Sequence, residues 1–483
     1  MVGMMTGAAL MLAAAAPGRD VVATVDFGAP TGRLNPALHS SGWAPRASPR
    51  SIQNDDAAVR SLGMAYVRTH DWALVNEGQR VVDYQYVFPL IDKDATDPSN
   101  YCFAPTDHLL SLARDVGLKI FYRLGTSIEH TGDVHFNARI PDDFDKVAEV
   151  FAATVRHYNR GWAGGKEWGI EYWEIWNEPD GITNMWCPDP DDLARLGGAN
   201  DPRAWAFARE RFVEFFVTCL KRIKREFPEV KVGGPALCWA DCSYFRQILE
   251  RCRKEGVAPD FLSFHYYGQN PSDMTRGAAE VRRLCDEMGF KKCEVILNEW
   301  HYILTWDGIH GRNSTPAMVR RALDGPTGHN NIDSACFTLS SLIAFQTSAL
   351  DQAYYYGCAH QGNWGYMDVY KQFNKNYYAC RLFGDVVKTC DTLCRAETDG
   401  GTVSVLAAKS AYGKRGVLLA SDYRGSGQVL RFKVAGAGRV AGVTLLDHTH
   451  DALPHDFDWR DGLLTVVKPD KNSAAFLVEF EWP

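Results

Sequence analysis

The sequence has no block of like charges and, after its first residues, no long apolar run. Its 52 lysines and arginines against 59 aspartates and glutamates leave a net charge of −7. A nucleic-acid partner needs a basic stripe that neutralises phosphates, so this class of ligand is excluded. A membrane-spanning helix needs about 20 mostly apolar residues in a row, which the chain lacks. We therefore expect neither nucleic-acid nor membrane partners.

Residues 7–16 (GAALMLAAAA) form a short apolar run that ends in small residues and is followed by Pro17 and Gly18. The run is too short to span a bilayer but resembles the apolar region and cleavage site of a secretory signal. The first basic residue, Arg19, comes after it, so either the true start lies upstream, or the signal is weak, or the segment is a frayed end. We expect residues 1–18 to be a signal peptide and the protein to be secreted or periplasmic. A cytoplasmic protein is the alternative.

Metal and cofactor motifs are scarce as well. The 13 cysteines are an odd number, so at least one is not paired within the chain. Many lie in predicted helices, where a buried free thiol is the simplest interpretation. Cys238 and Cys242 are spaced for a local disulfide or half of a zinc site, but no second pair of ligands matches them. We predict no metal and no cofactor.

What the chain does contain is a long alternation of short apolar runs with amphipathic helices. Several runs are nearly continuous, as expected for parallel strands covered on both faces. Eight strands interleaved with helices favour a (β/α)8 TIM barrel, an α/β fold. The alternative, a doubly wound open sheet, usually has a glycine-rich phosphate loop after its first strand, and none is visible in the sequence. The predicted strands are 38–43, 64–70, 119–124, 172–177, 231–235, 261–266, 295–300 and 352–357.

The pattern changes near Arg395. From there the sequence shows no amphipathic helix but short β-like runs separated by glycines and Asp-Gly pairs. This indicates a C-terminal β-sandwich domain over 395–483, after a barrel domain over 19–394. A strand at 21–26, which precedes the barrel, is a candidate to join the sandwich. The predicted sandwich strands are 402–407, 416–420, 428–434, 439–446, 463–467 and 474–480.

Polar and aromatic residues gather where the predicted barrel strands end, which is where barrel enzymes carry their active sites. Glu178 follows the fourth strand and Glu299 ends the seventh, so both can point into one cleft from opposite sides of the ring. Two facing carboxylates suit glycoside hydrolysis, in which one protonates the leaving oxygen and the other attacks the anomeric carbon. For either glutamate alone, a solvated loop carboxylate is the simpler explanation. The pair, each member preceded by an asparagine, favours catalysis.

The segments around these glutamates, EYWEIWNEPD at 171–180 and VILNEW at 295–300, resemble the acid/base and nucleophile segments of the clan of retaining (β/α)8 glycoside hydrolases. Within that clan the sequence resembles glycoside hydrolase family 39, which holds β-xylosidases and α-L-iduronidases. YVRTHDW at 66–72 is similar to the family's Arg-x-His on the second strand, and FLSFHYYG at 261–268 carries the clan's His-x-Tyr. The resemblance covers most of residues 20–480.

The resemblance implies a role for each matching residue. Glu178 is expected to be the general acid and then the base, and Glu299 the nucleophile that forms a glycosyl-enzyme. Arg68 and Tyr267 are expected to stabilise ionised Glu299, although a buried ion pair also explains Arg68. A purely structural role is the alternative for His70, His265 and Trp364. The other expected substrate contacts are Asn177 to the sugar 2-hydroxyl, His70 and His265 around the sugar being cleaved, and Trp300 and Trp364 as stacking walls.

Two loops depart from the family pattern, FYRLGTSIEH at 121–130 and ITNMWCPDPDD at 182–192. Because such loops build the substrate pocket, their departure leaves the identity of the sugar undetermined. The expected mechanism is unchanged. The resemblance implies a retaining hydrolase of O-glycosidic bonds in an oligosaccharide or polysaccharide, exo-acting and β-xylosidase-like. The alternatives are an endo-acting glycanase of the same clan and a catalytically inactive barrel that only binds carbohydrate. The sequence indicates no oligomeric state.

Overall fold

The computed structural model describes the chain in nine stretches, and the predicted signal peptide at 1–18 lies outside them. So do Asp71 and Trp72, the last two residues of the YVRTHDW segment. None of the helices in these stretches is long and apolar enough to cross a membrane. The described residues are 21–42, 55–70, 80–128, 137–307, 314–323, 325, 327–357, 364–367 and 372–482.

Strands and helices alternate through most of the described chain, and only strands follow the last helix. The strands are β1 (Val21–Arg33), β2 (Ser40–Gly42), β3 (Tyr66–Arg68), β4 (Lys119–Leu124), β5 (Tyr172–Ile175), β6 (Lys231–Leu237), β7 (Phe261–Gly268), β8 (Glu294–Tyr302), β9 (Gln352–Tyr355), β10 (Thr392–Thr398), β11 (Val403–Lys409), β12 (Arg415–Asp422), β13 (Val429–Ala435), β14 (Arg439–Leu446), β15 (Asp451–Pro454), β16 (Phe457–Arg460), β17 (Leu463–Val467) and β18 (Ala474–Glu481). The helices are α1 (Asp56–Leu62), α2 (Tyr84–Val87), α3 (Ala104–Asp115), α4 (Phe144–Arg160), α5 (Pro190–Leu196), α6 (Pro202–Glu226), α7 (Cys242–Lys254), α8 (Pro271–Glu287), α9 (Pro316–Leu323), α10 (Ile332–Phe345) and α11 (Lys375–Thr389).

Strands β2 to β9 close into a parallel barrel, which confirms the predicted fold class. Because β2 pairs with both β3 and β9, the sheet has no edge, and the open-sheet alternative is wrong. Apolar side chains fill the lower part of the barrel: Tyr66, Phe121, Tyr172, Phe261, Ile296 and Tyr354. Side chains of a strand alternate between its two faces, so the residues two positions further on also point inward. After Tyr354 this residue is Tyr356, and on the other five strands it is polar: Arg68, Arg123, Glu174, Ser263 and Asn298.

The helices outside the barrel begin and end at residues that cap the free backbone groups of their first and last turns. Asp143 caps the start of α4, because its carboxylate accepts a hydrogen bond from the Lys146 backbone N–H at 2.9 Å, and Gly161, in the left-handed conformation, caps its end. Its apolar stripe is buried in the core, and its Phe151 packs on Phe215 of α6 with ring centroids 6.0 Å apart. Packing of this kind holds the helices on the outside of the barrel.

The remaining strands, β1 and β10 to β18, form a ten-stranded mixed sheet in the order β15-β14-β18-β12-β11-β10-β1-β13-β17-β16. The sheet curls on itself, because Trp459 of β16 contacts Phe480 of β18 with ring centroids 5.9 Å apart although these strands lie far apart in that order. This confirms the predicted β-sandwich beside the barrel. Strand β1 pairs with β10 and β13 and extends to Arg33. Strands β10, β15 and β16 are absent from the sequence prediction, and β10 begins at Thr392, before Arg395.

Helix α10 joins the two parts. Nearly all of its residues are buried, the polar Asp333, Ser340 and Ser341 among them, so the helix is covered on all sides. The Ser421 hydroxyl of β12 donates to the Cys336 carbonyl at 2.9 Å, and the Ser473 hydroxyl donates to Asp333 at 2.6 Å. The curled sheet is therefore fixed to the barrel at the β8 and β9 side, near the strand that carries Glu299.

Candidate active site

A sharp turn after β5 places Glu178 at the carboxyl end of the barrel. Trp176 and Glu178 both have positive φ angles, 73° and 44°, which non-glycine residues seldom adopt. The turn is tied on both sides, since the Trp176 N–H donates to the Leu124 carbonyl at 2.6 Å and the Glu178 N–H to the Ala236 carbonyl at 2.9 Å. Unusual backbone held by neighbouring strands is typical of functional sites.

A β-bulge in β8 places Glu299 in the same cleft. The pairing of β7 with β8 runs from Phe264 opposite Leu297 to His265 opposite Glu299, so Asn298 is the extra residue. The Asn298 amide keeps the inward direction of Ile296 and donates to Glu174 at 2.5 Å, and the extra residue lets Glu299 face the mouth of the barrel as well.

Trp300 does not line the cleft, so its predicted role as a stacking wall is wrong. Its ring lies on the helix side of the barrel wall, 5.2 Å from the rings of Phe345 and Tyr355 between centroids, and is 1% exposed. The reason is the alternation of side chains, since Glu299 faces the cleft and the next residue must face the opposite way.

Arg68 is the centre of the buried part of the site. Its guanidinium donates from three nitrogens: Nε to Glu174 at 2.6 Å, Nη1 to Glu299 at 2.7 Å and Nη2 to Asn177 at 2.7 Å. Burial by itself lowers the pKa of Arg68, but the carboxylates of Glu174 and Glu299 outweigh it and raise this pKa. A permanently charged fork thus holds the strand ends of β3, β5 and β8 together.

The Glu299 carboxylate accepts hydrogen bonds at both oxygens. Oε1 accepts from Arg68 and Oε2 from the Tyr267 hydroxyl at 2.6 Å, while His70 Nε2 lies 3.6 Å from Oε1. Burial raises the pKa of Glu299 above its usual value, and the Arg68 charge and the Tyr267 hydrogen bond oppose that rise. The partners therefore stabilise the charged form that a nucleophile requires.

His265 lies between the two glutamates. Its Nδ1 is 2.8 Å from Glu178 Oε1 and 3.4 Å from Glu299 Oε2. Burial lowers the pKa of His265 to about 4, and burial with the Arg123 and Arg68 charges lowers the pKa of His70 well below its usual value. Both imidazoles are therefore neutral near pH 7. A neutral Nδ1 suits either state of Glu178, because it donates to a carboxylate as N–H or accepts from a carboxylic acid.

Asn177 is oriented for a ligand. Its Oδ1 accepts from Arg68, which fixes the amide, and its buried Nδ2 has no hydrogen-bond partner in the described part of the chain. A buried amide donor without a partner costs free energy unless a bound molecule accepts from it. A sugar hydroxyl is an acceptor of the right kind.

An aromatic wall stands beside Tyr267. The ring of Trp364, which the sequence predicts to be a stacking wall, lies 5.6 Å from the Tyr267 ring. The Trp306 ring lies 5.8 Å from the Tyr267 ring. Trp306 is 47% exposed, and Tyr356 completes the group at 6.2 Å. Sequence reasoning missed Trp306 and Tyr356, although Trp306 follows the predicted strand 295–300 and Tyr356 lies within the predicted strand 352–357. It also missed Glu174, whose signal was its position two residues after Tyr172 on the same inward face.

The structure thus brings together eight of the nine predicted site residues, and only Trp300 lies elsewhere. Glu178, His265 and Glu299 are also the group of candidate metal ligands whose ligand atoms, among the described residues, lie within 4.8 Å of one another. However, Arg68 and Tyr267 already occupy the Glu299 oxygens, and the guanidinium charge would repel a cation there. Cys238 and Cys242 are free thiols. The arrangement fits carboxylate chemistry better than a metal.

Comparison with known proteins finds relatives of low sequence identity. No family model matches the chain, so membership of family 39 stays a prediction. Two curated β-xylosidases are each 23% identical to it, one from Geobacillus stearothermophilus over 240 residues and one from Caldicellulosiruptor saccharolyticus over 222 residues. These matches cover 46% and 44% of this chain and 43% and 38% of the relatives, so the chain matches less than half of their length.

Solved structures are similar over nearly the whole chain. A glucosidase from Croceicoccus marinus has a TM-score of 0.73 at 22% identity and covers 96% of this chain and 100% of its own. A family 51 α-L-arabinofuranosidase from Thermotoga petrophila has a TM-score of 0.61 at 13% identity, covering 95% and 100%. The structural matches confirm the barrel with its C-terminal sandwich. Together with the curated relatives, they confirm the resemblance to glycosidases of this clan.

Proposed function

We propose that the protein is a retaining glycoside hydrolase, with Glu178 as general acid/base and Glu299 as nucleophile. The observation that carries the proposal is the convergence of these carboxylates from β5 and β8 on the His265 ring. Their nearest oxygens lie within 4.8 Å of each other. Retaining enzymes keep their carboxyl groups about 5–5.5 Å apart, whereas inverting enzymes leave a wider gap for a water molecule.

The surroundings of the two glutamates support different roles. Glu299 is almost fully buried, and its bond to a guanidinium favours the ionised form. The Glu178 side chain is 17% exposed and bonded to a neutral imidazole, which allows it to gain and lose a proton. Glu178 would protonate the leaving oxygen while Glu299 attacks the anomeric carbon. Glu178 would then take a proton from the water that releases the sugar from Glu299.

The remaining side chains serve binding in this proposal. The Asn177 Nδ2 would donate to the sugar 2-hydroxyl, a contact that strengthens in the transition state. His70 and His265 would border the sugar that is cleaved, and Trp306 and Trp364 would stack on sugar faces. The names of the curated relatives support a β-xyloside as substrate and removal of terminal sugars as the mode of action.

Endo action is a second candidate, because a structural neighbour is a family 30 endoxylanase from Clostridium papyrosolvens, with a TM-score of 0.59 at 14% identity over 95% of this chain. Substrate size separates the two modes. Release of xylose from xylobiose supports exo action, whereas cleavage of polymeric xylan to mixed oligosaccharides without cleavage of xylobiose supports endo action.

Hydrolysis by the wild type, Glu178→Ala and Glu299→Ala tests the proposal. The substrates are aryl β-xyloside, α-L-arabinoside, β-glucoside, β-galactoside and α-L-iduronide, and we expect each variant to lose at least about 10²-fold in kcat/KM on the preferred one. Glu294→Gln is the matched control, since Glu294 lies at the other end of β8 and bonds Lys231 and Tyr172. It should keep the activity.

The stereochemistry of the product gives a second test. Proton NMR during hydrolysis should show the retained anomer first, before mutarotation. The inverted anomer as first product would contradict double displacement. A wild type that binds oligosaccharides in calorimetry and hydrolyses none of them would instead favour the non-catalytic barrel.

A further inference from the structure

One buried carboxylate inside the barrel has no part in the proposed mechanism. Glu174 of β5 is fully buried, and both of its oxygens accept hydrogen bonds from other strands. Oε2 accepts from Arg68 Nε at 2.6 Å, and Oε1 accepts from the Ser263 hydroxyl at 2.7 Å and from the Asn298 amide at 2.5 Å. Strands β3, β5, β7 and β8 therefore meet at this one side chain.

Two of these hydrogen bonds lead to Glu299. The Arg68 guanidinium that donates to Glu174 also donates from Nη1 to Glu299 Oε1 at 2.7 Å. Asn298, the extra residue of the β8 bulge, immediately precedes Glu299 in the chain. A change in the Glu174 carboxylate therefore alters both the cation that contacts Glu299 and the residue that sets its direction.

The third hydrogen bond leads to Glu178. The Ser263 hydroxyl, which donates to Glu174, accepts from the Ala236 N–H at 2.9 Å, and the Ala236 carbonyl accepts from the Glu178 N–H at 2.9 Å. Ala236 has a φ of 58°, which non-glycine residues seldom adopt, so its backbone needs such contacts to stay in place. The turn that carries Glu178 is thus fixed to the same buried carboxylate.

We propose that Glu174 is a positioning residue for both catalytic glutamates. It fixes Glu299 through its hydrogen bonds to β3 and β8, and it fixes the turn of Glu178 through its hydrogen bond to β7. The inference rests on the roles proposed for Glu178 and Glu299. Reacting groups that a supporting layer of hydrogen bonds holds in place react faster than loosely held ones. Because Glu174 shares the Arg68 charge with Glu299, it also limits how strongly Arg68 stabilises ionised Glu299.

The groups around the two carboxylates make Arg68 the cation that both of them contact. His70 and His265 are neutral near pH 7, as their lowered pKa values show. Burial raises the pKa of Tyr267 and of Tyr354 well above the usual value, so these hydroxyls keep their protons. The titratable and charged groups that face Glu174 or Glu299 from the surrounding elements are Arg68, His70, Glu178, His265, Tyr267 and Tyr354.

Glu174→Gln removes the charge and keeps the shape of the side chain. Glutamine can accept from Arg68, and its NH2 group can donate to Asn298 Oδ1 after rotation of that amide, because this oxygen has no hydrogen-bond partner in the described part of the chain. On the plateau of the pH profile, kcat should fall at least about 10-fold and KM should change less than about threefold. The acidic limb should move to lower pH by at least about half a unit, because Arg68 then stabilises ionised Glu299 more strongly.

Ser263→Ala tests the link to Glu178 and keeps the charge of Glu174. We expect kcat to fall about 3- to 10-fold with the acidic limb in place. This variant also tests the proposal if circular dichroism shows that Glu174→Gln does not fold, and a wild-type kcat in Ser263→Ala would contradict it. Glu294→Gln is the matched control, since this partly buried glutamate lies at the other end of β8. Its kcat and its acidic limb should coincide with those of the wild type.

A titration without substrate distinguishes failure of this inference from failure of the proposed function. Carbon-13 NMR of glutamate side-chain carboxyls, with Glu299 assigned by the loss of one signal in Glu299→Gln, should show a lower midpoint for Glu299 in Glu174→Gln than in the wild type. If the wild type hydrolyses no glycoside but this midpoint falls, the proposed function fails and the link from Glu174 to Glu299 stands. A folded Glu174→Gln protein with the wild-type kcat overturns the inference, and so does a less active one whose acidic limb and Glu299 midpoint are unchanged.

Discussion

Arg68 is the residue on which the buried charges of the site depend. It contacts Glu174, Glu299 and Asn177 with three separate nitrogens and is fully buried. A buried ion pair contributes little net stability while it is intact, but loss of one partner leaves an uncompensated charge in a medium of low dielectric. The same contacts that hold the fold in this region therefore hold the nucleophile.

Arg68→Ala should lower the free energy of unfolding by about 3–5 kcal/mol, because Glu174 and Glu299 would lose their cation. Arg68→Lys keeps the charge, but one ammonium cannot span three acceptors, so kcat/KM should fall by at least about 10²-fold in a folded protein. Denaturant unfolding and steady-state kinetics measure the two effects. Arg395→Ala, which removes an exposed pair with Asp26, should change stability by less than about 1 kcal/mol. Equal effects of Arg68→Ala and Arg395→Ala would contradict this account.

The acidic limb of the pH profile should belong to Glu299, which must be ionised to attack. Burial raises the pKa of Glu299, so activity should fall with decreasing pH at values above those of an ordinary glutamate. The Tyr267 hydroxyl favours the ionised form, and Tyr267→Phe should therefore move this limb to higher pH. Tyr266→Phe is the control, because the Tyr266 hydroxyl donates to Asn270 and Asp273 outside the cleft. Its acidic limb should coincide with that of the wild type. A shift to lower pH in Tyr267→Phe would show that the hydrogen bond does not stabilise the carboxylate.

At the scale of single elements, two local irregularities aim the glutamates. The turn after β5 has positive φ at Trp176 and Glu178, and β8 has an extra residue at Asn298. The bulge lets two successive side chains, Asn298 and Glu299, reach the interior and the mouth of the barrel. It also places the Trp300 ring on the helix side of the wall.

Two tryptophans near the end of β8 should consequently behave differently. Trp306→Ala should raise KM roughly 3- to 10-fold and leave the melting temperature unchanged, because its exposed ring adjoins Tyr267 at the cleft. Trp300→Ala should lower the free energy of unfolding by about 3–5 kcal/mol and leave KM of the folded protein unchanged, because its ring packs on α10. Each variant is the control for the other. An increase in KM for Trp300→Ala would place that ring in the substrate site after all.

At the scale of the whole molecule, the curled sheet and the barrel share a buried polar interface. Asp333 of α10 accepts from the Ser473 hydroxyl, which in turn accepts from the Arg424 N–H at 2.8 Å. Arg424 reaches on to Gln269 after β7 and to the Tyr302 hydroxyl at the end of β8. The sheet thus supports the two strands that carry Tyr267 and Glu299.

Ser473→Ala should destabilise the whole protein, because a buried oxygen of Asp333 would lose its donor at a cost of about 1–3 kcal/mol. Barrel and sheet should still unfold in one transition by calorimetry, since the interface is buried. Ser404→Ala, on the half-buried part of β11, should change stability by less than about 0.5 kcal/mol. Two separated transitions in the wild type would show that the interface does not couple the parts.

Sequence patterns alone determined the eight barrel strands and most of the sheet, because apolar runs and their spacing are local properties. They also indicated Glu178 and Glu299, since a residue at the end of a barrel strand must lie at the mouth of the barrel. Strands β15 and β16 were missed because each is four residues long and partly exposed. Export of the protein, which rests on residues 1–18, stays a prediction.

Only the tertiary structure decided which side chains meet in the cleft. The bulge at Asn298 arises from pairing between β7 and β8, so no pattern within β8 shows that Trp300 faces the helices. The contacts of Arg68 join residues more than 100 positions apart, and the Cys238 N–H reaches Asp180 across 58 positions. The sequence determined the strands and the chemistry at their ends, whereas side-chain orientation and charge environment depend on strand pairing and burial, which exist only in the closed barrel.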